Sequence, residues 1–251
     1  MKALITGASS GLGYDFAKEL SKQGYDLVIV ARSLDKLNKL KDSLKTNVEI
    51  VAMDLGVEEN VYKLYDMYKG QIDLLINNAG FGSHGCFNET DVHDDVDMIN
   101  LNVTAVHILT KLFLTDFESR NQGQILNVSS LAGFLPAGPL MATYYATKAY
   151  VRSLTLGIYG ELKKKKSNVK ISCLCPGPVR TSFMDRANVN FTFGHCESED
   201  VVKYTLAKLK KNKTIIIPGL VNKLSLFACR VLPTKLIVKI CYGIQKSKTK
   251  K

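Results

Sequence analysis

Acidic residues are missing from the last fifth of this 251-residue chain. Of its 34 lysines and arginines, thirteen lie between Val201 and Lys251, where none of the 23 aspartates and glutamates occurs, so residues 1–200 carry a net charge of only −2. A basic terminal segment indicates an anionic partner, either a membrane surface or a polyanion. The alternative is a solvated basic face that keeps the protein soluble, and the sequence leaves both open.

Metal-binding patterns are missing too. The six cysteines are scattered, with no CxxC pair and no cluster of cysteine and histidine, so we predict no metal site and no disulfide framework. Cys173 and Cys175 share one face of a predicted strand, but that spacing is not typical of metal ligands. Reduced thiols in a cytosolic protein are the expected state.

Targeting segments, internal repeats and linkers are not evident either. The chain opens on Met1–Thr6, which already has the character of a strand, so we expect no secretory signal. We also expect that no apolar run is long and charge-free enough to span a bilayer. These absences favour a cytoplasmic protein, with peripheral attachment to a membrane as the alternative that its basic end allows.

What the sequence does contain is an alternation of short apolar runs and longer amphipathic segments. Such runs are typical of parallel strands covered on both faces. The order predicts an α/β fold: one doubly wound, Rossmann-like parallel sheet of about seven strands with helices on both faces. The predicted strands are Ala3–Thr6, Leu27–Ala31, Val48–Met53, Leu74–Asn77, Ile125–Ser129, Ile171–Cys175 and Thr214–Ile217. The predicted helices are Leu12–Gln23, Leu34–Leu44, Val57–Tyr68, Val92–Glu118, Tyr144–Lys163 and Ser198–Lys210.

The first predicted strand runs into a glycine-rich loop that opens the first predicted helix. Gly7, Gly11 and Gly13 permit a tight turn and a close approach of the backbone to a pyrophosphate, which then binds the free N–H groups of the helix N-terminus. The succession of strand, loop and helix is the setting that a dinucleotide-binding motif requires. The spacing is TGxxxGxG rather than the more widespread GxGxxG.

Tyr144 and Lys148 lie one helical turn apart, so their side chains project from the same face. A free tyrosine has a pKa of roughly 10. A nearby ammonium favours the phenolate and is expected to lower that pKa. Tyr144 could then exchange a proton with a carbonyl or alcohol oxygen.

Five motifs in this order resemble the short-chain dehydrogenase/reductase family. They are the TGxxxGxG loop, Asn77–Gly80 (NNAG), Ser129–Ser130, the YxxxK of Tyr144–Lys148, and Pro176–Thr181 (PGPVRT). The resemblance covers residues 1 to about 218 and implies an oxidoreductase that interconverts a carbonyl and an alcohol with a nicotinamide cofactor. We therefore assign residues 1–218 to an NADP-binding catalytic domain with a lid at about 182–199. Residues 219–251 form a basic, apolar helical extension, which Pro233 breaks into two helices.

The end of the second predicted strand favours NADP(H) over NAD(H). NAD-specific relatives place an acidic residue there, whereas this chain has Arg32, whose guanidinium can pair with a 2′-phosphate. The resemblance implies that further cofactor contacts come from the glycine loop and from the ends of the later strands. The complete predicted set is Gly7, Ser9, Ser10, Gly11, Leu12, Gly13, Arg32, Asp54, Leu55, Asn78, Ala79, Gly80, Tyr144, Lys148, Pro176, Val179 and Thr181.

The resemblance also implies roles beside Tyr144. Ser130 would hydrogen-bond the substrate oxygen, Lys148 would bind the nicotinamide ribose, and Asn102 would position a water that relays protons. Ser130 lies fourteen residues before Tyr144, one more than the commonest family spacing, so Ser129 is its alternative.

Two other choices rest on sequence context. Asn102 is followed by Val-Thr-Ala, an NxxA pattern that favours it over Asn100. Tyr145 is set aside because only Tyr144 lies four residues before the lysine.

The expected substrate is a small hydrophobic ketone, aldehyde or 3-oxoacyl-type compound, because the residues expected beyond the strand ends are mostly apolar. A homodimer or homotetramer is implied by the resemblance, and no specific nucleic-acid partner is predicted. The C-terminal extension either packs over the substrate cleft or a neighbouring subunit, or lies on an anionic membrane. The competing function is a catalytically silent, NADP-binding regulatory or membrane-surface scaffold protein.

The residues expected to line the substrate site follow the ends of the later strands. They are Phe81, His84, Phe134, Leu135, Leu140, Met141, Phe183 and Met184.

Overall fold

A computed structural model of the chain describes residues 1–179 and 196–247, and a single parallel sheet forms the centre of this part. Its strands are β1 (Lys2–Thr6), β2 (Asp26–Ala31), β3 (Val48–Ala52), β4 (Leu74–Asn77), β5 (Gln124–Val128), β6 (Lys170–Leu174) and β7 (Ile215–Ile216). They follow one another in space in the order β3-β2-β1-β4-β5-β6-β7. The predicted α/β class and the seven predicted strands are confirmed.

Helices cover both faces of this sheet. They are α1 (Gly11–Lys22), α2 (Leu34–Asp42), α3 (Glu58–Tyr68), α4 (Val92–Ile99), α5 (Val106–Ser119), α6 (Ala142–Lys164), α7 (Ser198–Leu209), α8 (Leu220–Val231) and α9 (Thr234–Lys246). A π-helical segment, Asn100–Ala105, joins α4 to α5, and a short 3-10 helix, Leu131–Phe134, follows β5. Helices α8 and α9 flank Pro233 as predicted. Thr181 and most of the predicted lid lie outside the described residues.

Each face of the sheet has its own core because successive strand residues point to opposite sides. Ile5 of β1 packs in one cluster with Phe16 of α1 and with residues of α2 and α7. Its neighbour Leu4 packs in the other cluster, with Phe113 of α5 and residues of α3. All four side chains are fully buried. The apolar residues of the strands therefore pack against the apolar faces of the amphipathic helices in these two clusters.

The joined helices from Val92 to Ser119 correct one expectation. They form 28 continuous residues with a mean hydropathy of 1.3 over an 18-residue window, which is long and apolar enough to cross a membrane by length and composition. The expectation that no such run exists was wrong. Leu109, Phe113 and Phe117 of α5 are buried against the sheet, so packing on the sheet accounts for these apolar side chains of the run.

The order of the strands places the sequence motifs at one edge. The chain leaves β1 toward β2 and β3 on one side, and continues from β4 toward β7 on the other. A crevice opens at such a switch point, beyond the carboxyl ends of the strands. The glycine loop after β1, Asn78–Gly80 after β4, Ser129–Ser130 after β5 and the segment from Pro176 after β6 all reach this edge.

Candidate active site

A cavity of about 670 Å³ lies along the carboxyl edge of the sheet. Its lining includes the glycine loop, Arg32, Gly80 and Tyr144, which come from well-separated parts of the sequence. Among the described residues of the predicted cofactor set, only Gly13 does not line it. This volume is typical of small-molecule and cofactor sites.

The glycine loop has the close packing that a pyrophosphate cradle needs. Gly7 and Gly11 have positive φ angles of 68° and 54°, which side chains disfavour. A Cβ atom at Gly13 would collide with the carbonyl oxygen of Gly7, so Gly13 lets α1 approach the loop instead of contacting a ligand itself. Helix α1 begins at Gly11 and has no acidic residue in its first turn, so its N-terminus suits an anion. These residues fit the phosphates of a nicotinamide dinucleotide.

Asn78 holds this loop in place. Its amide Nδ2 donates to the carbonyl oxygens of Thr6 (3.0 Å) and Gly7 (3.3 Å). The hydroxyl oxygen of Thr6 in turn accepts from the backbone N–H groups of Asn78 (2.9 Å) and Ala79 (3.0 Å). The NNAG motif therefore braces the ends of β1 and β4 against each other, and Asn78 also lines the cavity.

Positive charge lies in the cavity lining at the end of β2. Arg32 is 61% exposed, and its guanidinium is 3.7 Å from the carboxylate of Asp54. Lys36, in the first turn of α2, lines the same cavity together with Ser33. Sequence reasoning missed Lys36, although its position four residues after Arg32 at a helix start could have identified it.

Ser130, and not Ser129, meets the tyrosine. Ser130 acts as a hydrogen-bond partner on the pKa of Tyr144, and its hydroxyl accepts from the backbone N–H of Ala132 at 3.2 Å. Ser129 points the other way and donates to the backbone oxygen of Lys148 at 2.7 Å. The additional residue between Ser130 and Tyr144 falls in a stretch that includes the 3-10 helix and Leu140, whose φ is 64°.

Burial dominates the protonation of Tyr144 and Lys148. It raises the pKa of Tyr144 to about 12, while the hydrogen bond with Ser130 acts in the opposite direction. It lowers the pKa of Lys148 to about 8, against the influence of Cys173 and Cys175. The Lys148 ammonium donates to the carbonyl oxygen of Val128 at 3.0 Å and lies 5.9 Å from the centre of the Tyr144 ring. The pKa of Tyr144 is therefore raised in the protein by itself, not lowered as expected, because desolvation outweighs the influence of Ser130.

Asn102 lies behind the cavity rather than in its lining. Its Nδ2 donates to the carbonyl oxygen of Phe81 (2.8 Å) and to the hydroxyl of Thr147 (3.2 Å), and its Oδ1 accepts from the N–H of Phe81 (3.0 Å). It is fully buried within the π-helical segment, an arrangement often found at functional sites. Its side chain positions the backbone after Gly80, whereas Asn100 only begins the segment.

The C-terminal extension closes the other wall of the cavity. Cys241, Ile244 and Gln245 of α9 belong to the lining. The Gln245 amide donates to the Tyr145 hydroxyl at 2.6 Å, and the His84 ring donates to the backbone oxygen of Gln245 at 3.1 Å. Of the two placements left open for this segment, α9 packs over the cleft, and Tyr145, set aside as an acid–base group, is part of the wall.

Some of the residues expected to line the substrate site do line the cavity. Phe81, Leu135 and Met141 line the cavity, and so does Leu131. His84 instead contacts α9, and the ring of Phe134 stacks against the guanidinium of Arg152. Phe183 and Met184 lie outside the described residues.

A doubly wound sheet with a phosphate cradle at its switch point, and with a tyrosine, a serine and a buried lysine lining the cavity at the same edge, is typical of nucleotide-dependent oxidoreductases. A family model described as short chain dehydrogenase matches residues 1–190, and the chain belongs to that family.

Proteins similar in sequence to this chain include a reductase and an uncharacterized oxidoreductase. The chain is 34% identical over 172 residues to the very-long-chain 3-oxoacyl-CoA reductase of Mus musculus, covering 65% of this chain and 55% of that protein. It therefore spans about half the length of this relative. It is 33% identical over 185 residues to an uncharacterized oxidoreductase of Staphylococcus epidermidis, covering 71% and 78%.

Solved structures agree over nearly the whole fold. A short-chain dehydrogenase of Sphingobium yanoikuyae in complex with NADPH has a TM-score of 0.82 and 30% identity, covering 91% of this chain and 93% of that one. A short chain dehydrogenase/reductase of Burkholderia phymatum in complex with NAD also has a TM-score of 0.82, with 27% identity and coverages of 90% and 91%.

Proposed function

We propose that this chain transfers a hydride between NADP(H) and the carbonyl or alcohol of a small hydrophobic substrate, a ketone, an aldehyde or a 3-oxoacyl compound. The observation that carries the proposal is that Ser130, Tyr144 and Lys148 line the same cavity as the glycine loop. The apolar wall of Leu131, Leu135 and Met141 supports the substrate class.

The bound nicotinamide would supply or accept the hydride. The hydroxyls of Ser130 and Tyr144 would hold the substrate oxygen and stabilise the charge that develops on it. Because the pKa of Tyr144 is about 12, its proton is present at neutral pH and can pass to the oxygen during reduction. Lys148, whose pKa is about 8, could then exchange a proton with Tyr144 near neutral pH.

A substrate panel tests the activity. NADPH oxidation would be followed with ketones, aldehydes and 3-oxoacyl thioesters, using Tyr144→Phe and Ser130→Ala beside the exposed control Tyr159→Phe. We expect Tyr144→Phe to lose activity by about a hundredfold or more and the control to keep it. Inactivity of the wild-type chain on every substrate, combined with tight NADPH binding, would favour a silent regulatory or scaffold protein instead.

The preference for NADP(H) is supported by two cations, Arg32 and Lys36, in the cavity lining. Binding of NADPH and NADH, measured by ligand fluorescence without turnover, tests it. Arg32→Asp should weaken NADPH binding roughly tenfold relative to NADH, a modest figure because the pair is exposed and partly screened. Lys39→Asp, an exposed change of the same sign on α2, should not alter the ratio. A wild-type chain that binds both cofactors equally would contradict the preference.

We further propose a homodimer or homotetramer in the cytoplasm. The free state of all cysteines in the described ranges supports a reducing compartment. Apolar side chains exposed on α4 and α6 support self-association.

A further inference from the structure

Helix α8 is apolar on both of its sides. Its inner side carries Leu226 and Cys229, which are partly buried, and α8 lies against the 3-10 helix that follows β5. Its outer side carries five large apolar side chains in one stripe, each between 66% and 76% exposed. They are Leu220, Val221, Leu224, Phe227 and Val231. A contiguous apolar stripe of this kind on a protein surface marks an interaction site.

Helix α9 continues this surface. Its buried stripe consists of Ile237, Cys241 and Gln245, and the last two line the cavity. Beside it runs a second stripe with the same four-residue spacing, Leu236, Ile240 and Ile244, which is 43% to 50% exposed. Lysines occupy a further side of the helix, at Lys235, Lys239 and Lys246, and all three are exposed. Together, the outer stripes of α8 and α9 and these lysines form what we name the terminal face.

We infer that the terminal face docks on the surface of an anionic lipid bilayer. Apolar stripes bordered by lysines are the pattern of helices that lie in a membrane interface, where apolar side chains enter the acyl boundary and lysines reach the anionic headgroups. The sequence has no acidic residue from Val201 onward, so nothing on α8 or α9 opposes a negative surface.

Other occupants fit less well. A second copy of the chain, docked by the same face, would bring the lysines of both copies together without a compensating carboxylate from either helix. A nucleic acid would pair with the lysines but would leave the outer stripe of α8 in water. An anionic bilayer offers negative headgroups to the lysines and an acyl boundary to the apolar stripes of the terminal face.

The terminal face is also continuous with the cavity. Ile244 is half exposed on the outer stripe and at the same time lines the cavity. Docking would therefore bring one wall of the cavity next to the lipid, whatever reaction the site performs.

Flotation of the full chain with vesicles tests the inference without measuring activity. We expect the chain to float with vesicles that contain phosphatidylglycerol and to remain largely unbound with vesicles of phosphatidylcholine alone. Leu224→Glu/Phe227→Glu should reduce flotation more than about tenfold, because two apolar anchors become anions. Tyr62→Glu/Met67→Glu, a matched pair of exposed apolar residues on α3, should float like the wild type.

Replacing Lys235, Lys239 and Lys246 by Gln should weaken binding to the anionic vesicles by roughly fivefold per lysine.

Circular dichroism melting of each variant confirms that it is folded, and all of these substitutions lie at exposed positions. Absence of flotation with phosphatidylglycerol would overturn the inference, and so would equal flotation on both vesicle types or an unchanged Leu224→Glu/Phe227→Glu variant. If that variant instead converts oligomers into monomers in the absence of lipid, a second copy covers the face and the bilayer assignment is wrong.

Discussion

Lys148 is a cation kept in a place where water cannot stabilise it. It is 6% exposed, and its ammonium has the Val128 carbonyl oxygen as a hydrogen-bond partner. Burying an ammonium disfavours the charged form, which is why its pKa falls from the ordinary value of 10.5 to about 8. Near neutral pH such a lysine releases its proton more readily than a solvated one, which suits exchange with Tyr144. The burial of its charge also destabilises the fold.

We expect Lys148→Met to stabilise the fold at pH 7, by up to about 3 kcal/mol if the whole pKa shift is expressed. Below pH 8 the lysine is charged in both states and the full penalty of burial applies. Between pH 8 and 10.5 the unfolded chain binds the proton and the folded chain does not, so the stability of the wild type rises with pH. The advantage of the methionine variant should therefore shrink over that window. Urea denaturation of both proteins at several pH values measures it, and a difference that stays constant with pH would contradict the buried-charge explanation.

Asn102 can be tested as a positioning residue. Asn102→Ala removes three hydrogen bonds and leaves the buried N–H of Phe81 without its amide partner. We expect a loss of about 2–4 kcal/mol in the free energy of unfolding, together with a lower kcat because the backbone at Gly80 shifts. Asn100→Ala, two residues away in the same segment, is the control and should lose less than half as much. Equal losses in the two variants would show that the clamp on Phe81 is unimportant.

At the scale of elements, α9 is held over the cavity by few polar contacts. The amide of Gln245 donates to Tyr145, and its Oε1 has no hydrogen-bond partner among the described residues. A helix fixed by so small a set is expected to open locally more readily than the sheet.

Tyr145→Phe should increase this opening. It removes the acceptor of the Gln245 amide and leaves a buried donor unpaired, which costs about 1–3 kcal/mol. Hydrogen exchange of α9 should accelerate by roughly tenfold or more, while exchange in β1 and β4 stays unchanged. Tyr242→Phe, an exposed tyrosine on the same helix, should have no effect. If both variants exchange like the wild type, Gln245 does not hold α9 closed.

The same helix shows where prediction from sequence ends. The strands, the helices and the break at Pro233 follow from periodicities and from proline, which act over a few residues. The cavity lining followed from motifs that a parallel sheet brings to one edge. The contact between Tyr145 and Gln245 joins residues 100 positions apart, and no local pattern encodes it. The direction of the Tyr144 pKa also depended on burial, which a motif does not reveal.

At the scale of the whole molecule, a second apolar surface lies apart from the terminal face in sequence. Helix α4 exposes Val92, Val96 and Ile99 at spacings of four and three residues, which places them on one side. Helix α6 packs beside α4 and exposes Leu156 and other apolar side chains. A two-fold interface uses the same surface on both subunits, and a stable one buries on the order of 800 Å² from each partner.

We expect Ile99→Glu/Leu156→Glu to convert the proposed oligomer into monomers in sedimentation velocity, because a two-fold contact would place each new carboxylate in the interface and repeat it on both subunits. Leu34→Glu/Val57→Glu, a pair with similar exposure on and next to other helices, should leave the oligomer intact. The Leu224→Glu/Phe227→Glu variant should also remain oligomeric, because its changes lie on the terminal face.

A monomeric wild type would contradict the proposed assembly, and dissociation caused by the terminal-face variant would place the subunit interface at α8. The two surfaces thus make opposite predictions for two variants, and one experiment in the absence of lipid separates self-association from membrane docking.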